Sequence, residues 1–186
     1  YGYWRLQNNP TQYDKNFVIR IVNIKSEHAD KWNAESAPEQ LRKYKEMSQT
    51  PSSIGEPNLV IWPETAVIED VNNEVWQNNF ASFLKTNQAL IVGYVRSSLF
   101  GQIYNSLGLV NNQGKLLDNY DKQHLFPFWE YQPMGDVEMS KTVGPSNLTA
   151  GESAKVIQVA DKKFYPIICY EAGFSSSPFN ELPRAD

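Results

Sequence analysis

Three residues of this chain have side chains that together could carry out one reaction: the carboxylate of Glu64, the ammonium of Lys122 and the thiol of Cys169. Each ends or closely follows a short apolar or β-favouring run: LVIWPET (59–65), YDKQHLFPFWEY (120–131) and FYPIICYE (164–171). Open α/β sheets bind ligand just beyond the carboxyl ends of their strands, so three strand-end groups are expected at one rim of one sheet. A thiol is a modest nucleophile until it loses its proton. Glu64 is the candidate base, because a rim walled by Trp62 and by aromatic loop residues would desolvate its carboxylate and raise its proton affinity. Lys122 is the candidate electrophile, its charge stabilising an oxyanion together with a backbone N–H near the nucleophile. Taken singly, a strand-end Glu or Lys is ordinarily a solvated charge and a lone Cys ordinarily an inert buried residue. Their joint occurrence points to thiol-based acyl chemistry.

The elements that must position these groups alternate between strands and helices. FVIRIVNI (17–24) is β-branched and nearly continuous, which predicts a strand buried on both faces. A helix is expected from a cap at Ser36, with Pro38 and Glu39 in its first turn, to about Gln49, burying Leu41, Tyr44 and Met47. Leu59 to Trp62 makes a second strand that Pro63 ends, thrusting Glu64 out at the rim. A helix over about 72–86, with Val75, Phe80, Phe83 and Leu84 apolar, precedes a third strand at 89–95. IYNSLGLV (103–110) and KLLDNYDK (115–122) form a hairpin through NNQG, with Gly114 supplying positive φ. Asn105 is expected to satisfy backbone groups near the rim, with no chemical role. The Pro- and Gly-containing stretch 124–150, with its aromatic residues crowded at one end, reads as a lid or substrate wall. KVIQVA and KFYPIICY form a last hairpin that ends on Cys169.

Composition narrows the field. With 186 residues, 41% apolar and 13% aromatic, the chain fits one globular domain that buries roughly 70% of its unfolded surface. A net charge of −4 with scattered basic residues gives no nucleic-acid footprint. One cysteine precludes an intramolecular disulfide or a Cys-based zinc site, and His28 and His124 lack metal-ligand spacing. No apolar run is long enough for a spanning helix and no signal peptide is visible. The start at Tyr1 suggests a piece of something longer, and the aromatic YGYWRL reads as a collar at a membrane interface or as an ordinary terminus.

On IWPETA (61–66), DKQHLFPFWEY (121–131) and ICYE (168–171), the chain resembles the nitrilase, or carbon-nitrogen hydrolase, superfamily, whose catalytic Glu, Lys and Cys occur in this order. Within it, the motifs are most similar to the extracytoplasmic domain of the apolipoprotein N-acyltransferase family of Gram-negative bacteria. The resemblance covers roughly residues 17–174. It implies an α/β fold, the nitrilase-like α-β-β-α sandwich, here truncated after the nucleophile strand. The implied organisation is a juxtamembrane collar or linker (1–16), a partial catalytic domain (17–174) and a tail (175–186). Two departures are visible: Trp129 stands where the family has glycine in PFGEY, and the chain stops soon after CYE.

The resemblance assigns catalysis to Glu64, Lys122 and Cys169. It implies a second carboxylate beside the ammonium at Glu130, pocket-shaping roles for Tyr170 and Glu171, and a place near an acyl pocket for Trp32. Phe126, Phe128, Trp129 and Met134 would form the lid. The implied reaction moves a fatty acyl group from a phospholipid, through a Cys169 thioester, to the N-terminal amine of a diacylglyceryl-cysteine on an apolipoprotein. It needs no metal or organic cofactor and no nucleic acid. The implied location is the bacterial inner membrane, reached through transmembrane segments outside this chain, with the domain facing the periplasm. The chain by itself is expected to be inactive and either to self-associate or to be marginally stable. Two other readings stay open: a soluble nitrilase or amidase using water as acceptor, and a non-catalytic protein- or lipid-binding module.

Overall fold

The computed structural model describes residues 2–9, 14–25, 35–131 and 147–174. Trp32, Met134, the tail from 175 and most of the expected lid lie outside the described residues.

A short helix, α1 (Gly2–Asn8), comes first and buries none of its side chains. The rest is built on a five-stranded sheet in sequential order, from β1 (Ile19–Ile21) and β2 (Leu59–Ile61) through β3 (Ala89–Ser97) and β4 (Ile103–Asn111) to β5 (Leu116–Asp121). β1, β2 and β3 are mutually parallel, and β4 runs antiparallel to both β3 and β5. The carboxyl ends of β2, β3 and β5 therefore share one rim. The long β3–β4 ladder and the NNQG hairpin follow from alternating apolar residues and from Gly114, whose φ is +78°.

Helices α2 (Ala37–Gln49) and α3 (Glu74–Ala81) cover one face of the sheet. Trp62 lies between them, stacked on Tyr44 at 4.9 Å and Phe83 at 5.4 Å, with Phe80 edge-on at 6.0 Å. Its indole N–H donates to the Ser48 hydroxyl at 2.9 Å. Trp62 thus belongs to the helix-side core and does not wall the Glu64 rim. Ser48 also replaces Met47 in the expected helical stripe: positions 41, 44 and 48 share a face, whereas Met47 turns outward and is 42% exposed. Ser36 does stand at the N-cap, but its hydroxyl accepts from the Gln40 side-chain amide and makes no capping bond. The second helix is shorter than expected: Asn73 caps its start, accepting from Trp76 N, and it ends at Ala81, where Phe83 N and Leu84 N both turn back to Phe80 O; Phe80, Phe83 and Leu84 are buried, while Val75 is exposed.

The other face carries a separate two-stranded hairpin, β6 (Ile157–Val159) and β7 (Lys162–Phe164). Ile157, Val159 and Ile168 pack there on Leu59, Ile91, Leu109 and Tyr120. Among the described residues the layers are thus helix, sheet and hairpin. β1 departs from the expected doubly buried strand. It is the sheet edge, and Ile19 and Ile21, in register with Leu59 and Ile61 on the hairpin side, stay exposed at its end. Val22 and Ile24, past the strand, enter the helix-side core instead.

Gly114 and Gly101 separate two roles of glycine. Both have positive φ, but a Cβ at Gly114 would lie 1.9 Å from Gln77 O on α3, whereas one at Gly101 would meet nothing. Gly101→Ala is expected to cost about 1 kcal/mol of stability from φ alone, and Gly114→Ala about 1–3 kcal/mol more. Urea midpoints measure both; equal midpoints would show that the hairpin does not press on α3.

Candidate active site

Glu64 leaves β2 through Pro63 and crosses close over β3, and one glycine permits this. A Cβ at Gly93 would lie 2.3 Å from Pro63 O and 2.7 Å from Glu64 Cα, so only glycine admits the crossing. Thr65, immediately after, has φ of +53°, an uncommon conformation for a β-branched residue. The backbone is bent sharply enough there to turn the Glu64 carboxylate back over the sheet rim. Its side chain is 34% exposed.

Lys122 is the first residue past β5, and its side chain is almost fully buried. Its Nζ lies 3.5 Å from Glu64 Oε1 and 2.9 Å from Glu130 Oε2. Burial pushes the ammonium toward neutrality, but the hydrogen bond to Glu130 and the charges of Glu64 and Glu130 outweigh it, and its pKa is raised. Lys122 is therefore a fixed cation. The backbone beside it is pinned from both sides, Lys122 N donating to Asn105 O at 2.9 Å and Gly151 N donating to Lys122 O at 2.8 Å. Gly151 is another tight approach, with space for a Cβ only 2.1 Å from Asp121 O.

Glu130 reaches the ammonium from the loop after Lys122. The chain turns at Phe126, whose carbonyl accepts from Glu130 N, and passes through Phe128 at φ +65°. Trp129 is 49% exposed on the outside of this turn, so the bulky ring leaves Glu130 buried against Lys122. Asn105 supplies what the sequence reading missed. Its side-chain amide donates to Glu64 Oε1 at 2.6 Å and to Glu130 Oε1 at 3.0 Å, which fixes the two carboxylates around one lysine. The only sequence signal was its place on a strand whose partner leads to Lys122.

Cys169 does not end a sheet strand. β7 stops at Phe164, and Cys169 opens a 3-10 helix (Cys169–Gly173) with φ of +48°, an elbow that holds the thiol exposed. Glu171 anchors this elbow. Its carboxylate accepts from Tyr120 OH at 2.7 Å, Gln123 N at 2.8 Å, His124 N at 3.1 Å and Ile168 N at 2.9 Å. The Cys169 elbow is thereby tied to β5 and to the residues just after Lys122. Burial, then the Glu64 charge and a hydrogen bond to Glu64, raise the thiol pKa, against opposing effects from Lys122 and the Tyr170 N–H. Tyr170, which meets Phe126 edge-on at 4.8 Å, borders with Leu125, Pro127, Leu148 and Phe174 a cavity of about 470 Å³ beside the elbow.

These fields predict the pH dependence of Cys169 alkylation. The midpoint for reaction with iodoacetamide is expected above that of an ordinary thiol. It should fall in Glu64→Gln, which removes the repelling carboxylate, and rise in Lys122→Met, which removes the stabilising cation. A midpoint unmoved by either change would mean that the thiol does not sense the pair.

The protein-family model described as carbon-nitrogen hydrolase matches residues 19–185. A protein of Sinorhizobium fredii named apolipoprotein N-acyltransferase is 29% identical over 94% of this chain and 36% of its own length. One of that name from Allorhizobium ampelinum is 30% identical over 100% of this chain and 38% of its own length. The chain thus spans little more than a third of these curated relatives. A crystal structure of a CN-hydrolase superfamily protein from Xanthomonas campestris matches with a TM-score of 0.53 and 20% identity, covering 74% of this chain and 49% of that one. Mixed sheet, elbow and family match agree: the chain belongs to the carbon-nitrogen hydrolase family.

Proposed function

We propose that this chain is the catalytic domain of an acyltransferase that moves a fatty acyl group from a phospholipid to the N-terminal amine of an apolipoprotein. The observation that carries the reading is the buried Lys122 ammonium held between Glu64 and Glu130, with the Cys169 thiol near enough to feel the charges of both Glu64 and Lys122. The relatives named apolipoprotein N-acyltransferase supply the substrate class. The apolar cavity at Tyr170 supplies room for an acyl chain. Residues 17–174 are the catalytic unit in this reading. No helix among the described residues is long and apolar enough to cross a membrane. The exposed Tyr3, Trp4 and Leu6 of α1 suit a collar at the surface of the bacterial inner membrane, with the domain on its periplasmic side.

In the first half-reaction Glu64 accepts the thiol proton as Cys169 Sγ attacks the ester carbonyl carbon. The C=O electrons move onto oxygen, where Lys122 and the Tyr170 N–H stabilise the anion. Collapse breaks the ester C–O bond, and Glu64 returns its proton to the leaving lysophospholipid oxygen. A thioester remains on Cys169. In the second half the α-amine of the apolipoprotein's diacylglyceryl-cysteine attacks that thioester and Glu64 takes a proton from nitrogen. The C–S bond breaks, an amide leaves, and the proton passes back to sulfur. Glu130 and Asn105 hold Lys122 and Glu64 in position throughout. Phe126, Phe128 and Trp129 form the described part of an apolar entrance to the pocket.

The test is intact-mass spectrometry of the intact protein incubated with phosphatidylethanolamine. A hydroxylamine-labile adduct of fatty-acyl mass is expected on the wild type and absent in Cys169→Ala; persistence in that variant would sink the assignment. Glu64→Gln should block formation of the adduct. Lys122→Met should slow both half-reactions by roughly 10²–10³-fold. Release of free fatty acid with no transfer to a diacylglyceryl-cysteine peptide would instead identify a hydrolase.

A further inference from the structure

The turn between β3 and β4 presents two large apolar side chains to solvent. Leu99 is 101% exposed and Phe100 91%. The turn is nonetheless well built. Ser98 N donates to Gln102 O at 2.8 Å and Gly101 N to Ser98 O at 3.1 Å, while Phe100 N and Gln102 N both donate to Ser98 Oγ at 3.2 Å. Gly101, at φ +79°, closes it. Ser97 to Gln102 contains no ionisable side chain. The result is a rigid, uncharged, internally hydrogen-bonded tip that carries an apolar wedge.

Its location follows from the sheet. β3 runs parallel to β2 and β5, so the turn after β3 leaves the rim that carries Glu64 and Lys122. The segment 148–151 stitches the two together: Thr149 N donates to Ile103 O, Leu148 N to Glu130 O and Gly151 N to Lys122 O. Asn105, which holds both carboxylates, lies two residues from Ile103 at the base of the turn, about 7 Å along a strand. The turn itself adds a few ångströms, which puts the wedge on the order of 10 Å beyond the site. Phe128 and Trp129, about half exposed, lie on the same rim.

We propose that the β3–β4 turn is a membrane-docking wedge, with Leu99 and Phe100 entering the surface of a phospholipid bilayer. The proposal rests on the acyltransferase reading and extends it to how the site meets its donor. Surface-seated elements bury their apolar side about 5–10 Å into the headgroup and acyl boundary. A wedge at that depth holds the rim that carries Glu64 and Lys122 about one turn-length above the headgroup and acyl boundary, so a donor lipid has to rise only on the order of 10 Å to bring its ester to the site. Four of the turn's N–H groups are already satisfied, so entry costs little in lost hydrogen bonds. A protein partner fits less well, since two adjacent side chains fall far short of the roughly 800 Å² per partner of a stable interface.

The test uses the intact protein with the fluorescent residue dansylalanine replacing Leu99 or, at the opposite sheet rim, Asn112, mixed with phosphatidylethanolamine/phosphatidylglycerol vesicles. Blue-shifted emission and quenching by doxyl-labelled lipid are expected at position 99 and not at 112. Loss of both signals at 99, or equal signals at the two positions, would overturn the proposal. A second arm uses Leu99→Ser/Phe100→Ser. Thioester formation from vesicle phospholipid should fall roughly tenfold per side chain and stay at the wild-type rate with the same lipid in detergent micelles. Equal losses in both media would make the turn merely structural. Failure of the wild type to form a thioester in either medium would sink the acyltransferase reading, while the fluorescence arm would still decide the wedge.

Discussion

The Glu171 carboxylate holds the site together by accepting hydrogen bonds from three separate stretches of chain. Tyr120 OH comes from the end of β5, Gln123 N and His124 N from the residues after Lys122, and Ile168 N from the approach to Cys169. Its side chain is 5% exposed, so removing one acceptor oxygen strands buried donors rather than exchanging them for water. Cys169 has no sheet strand of its own to fix it. Its position relative to Lys122 is set by this side chain together with the packing of the neighbouring Ile168 in the hairpin-side core.

The electrostatics of the cluster follow from a three-group arrangement. Lys122 is surrounded by two carboxylates, and Asn105 spends its side-chain amide on both. A buried ammonium facing a single acid would be an uncertain cation, because desolvation opposes its charge by several kcal/mol. With the second acid it stays charged, and that charge remains available for an oxyanion. The thiol pKa, in contrast, is raised, by desolvation first and then by the Glu64 charge. Three backbone positions at positive φ, Thr65, Phe128 and Cys169, lie at or within two residues of Glu64, Glu130 and the nucleophile. Such conformations cost about 1–3 kcal/mol each and persist where the surrounding structure holds them. Gly93 and Gln123, with Glu171, are part of what does so here.

Much of this was legible in the residues. IWPET, DKQHLFPFWEY and ICYE single out Glu64, Lys122 and Cys169, which the fold brings to one region, and the NNQG turn and alternating strands give the sheet around Lys122. What the sequence could not display is non-local. Cys169 looked like the end of a strand because KFYPIICY is β-favouring, yet the ladder stops at Phe164 and the elbow is set by a carboxylate two residues on. Asn105 reads as one polar residue in an apolar strand until the loop carrying Glu130 folds over it. Gly93 looks like a weak point of β3 until the Pro63–Thr65 crossing is laid on top of it. Trp62 and Met47 were misplaced for a simpler reason: a period of 3.6 or 2 tells which positions share a face, not which face meets the site.

The central claim is that Glu171 brings the nucleophile to Glu64, and a double-mutant cycle on the pH midpoint of Cys169 alkylation measures that directly. The midpoint is determined in wild type, Glu64→Gln, Glu171→Gln and the double variant. If the anchor positions the elbow, Glu64→Gln shifts the midpoint downward in the wild-type background and leaves it unmoved once Glu171 is Gln, because the thiol no longer lies beside the carboxylate. A Glu64→Gln shift of the same size in both backgrounds would contradict the account.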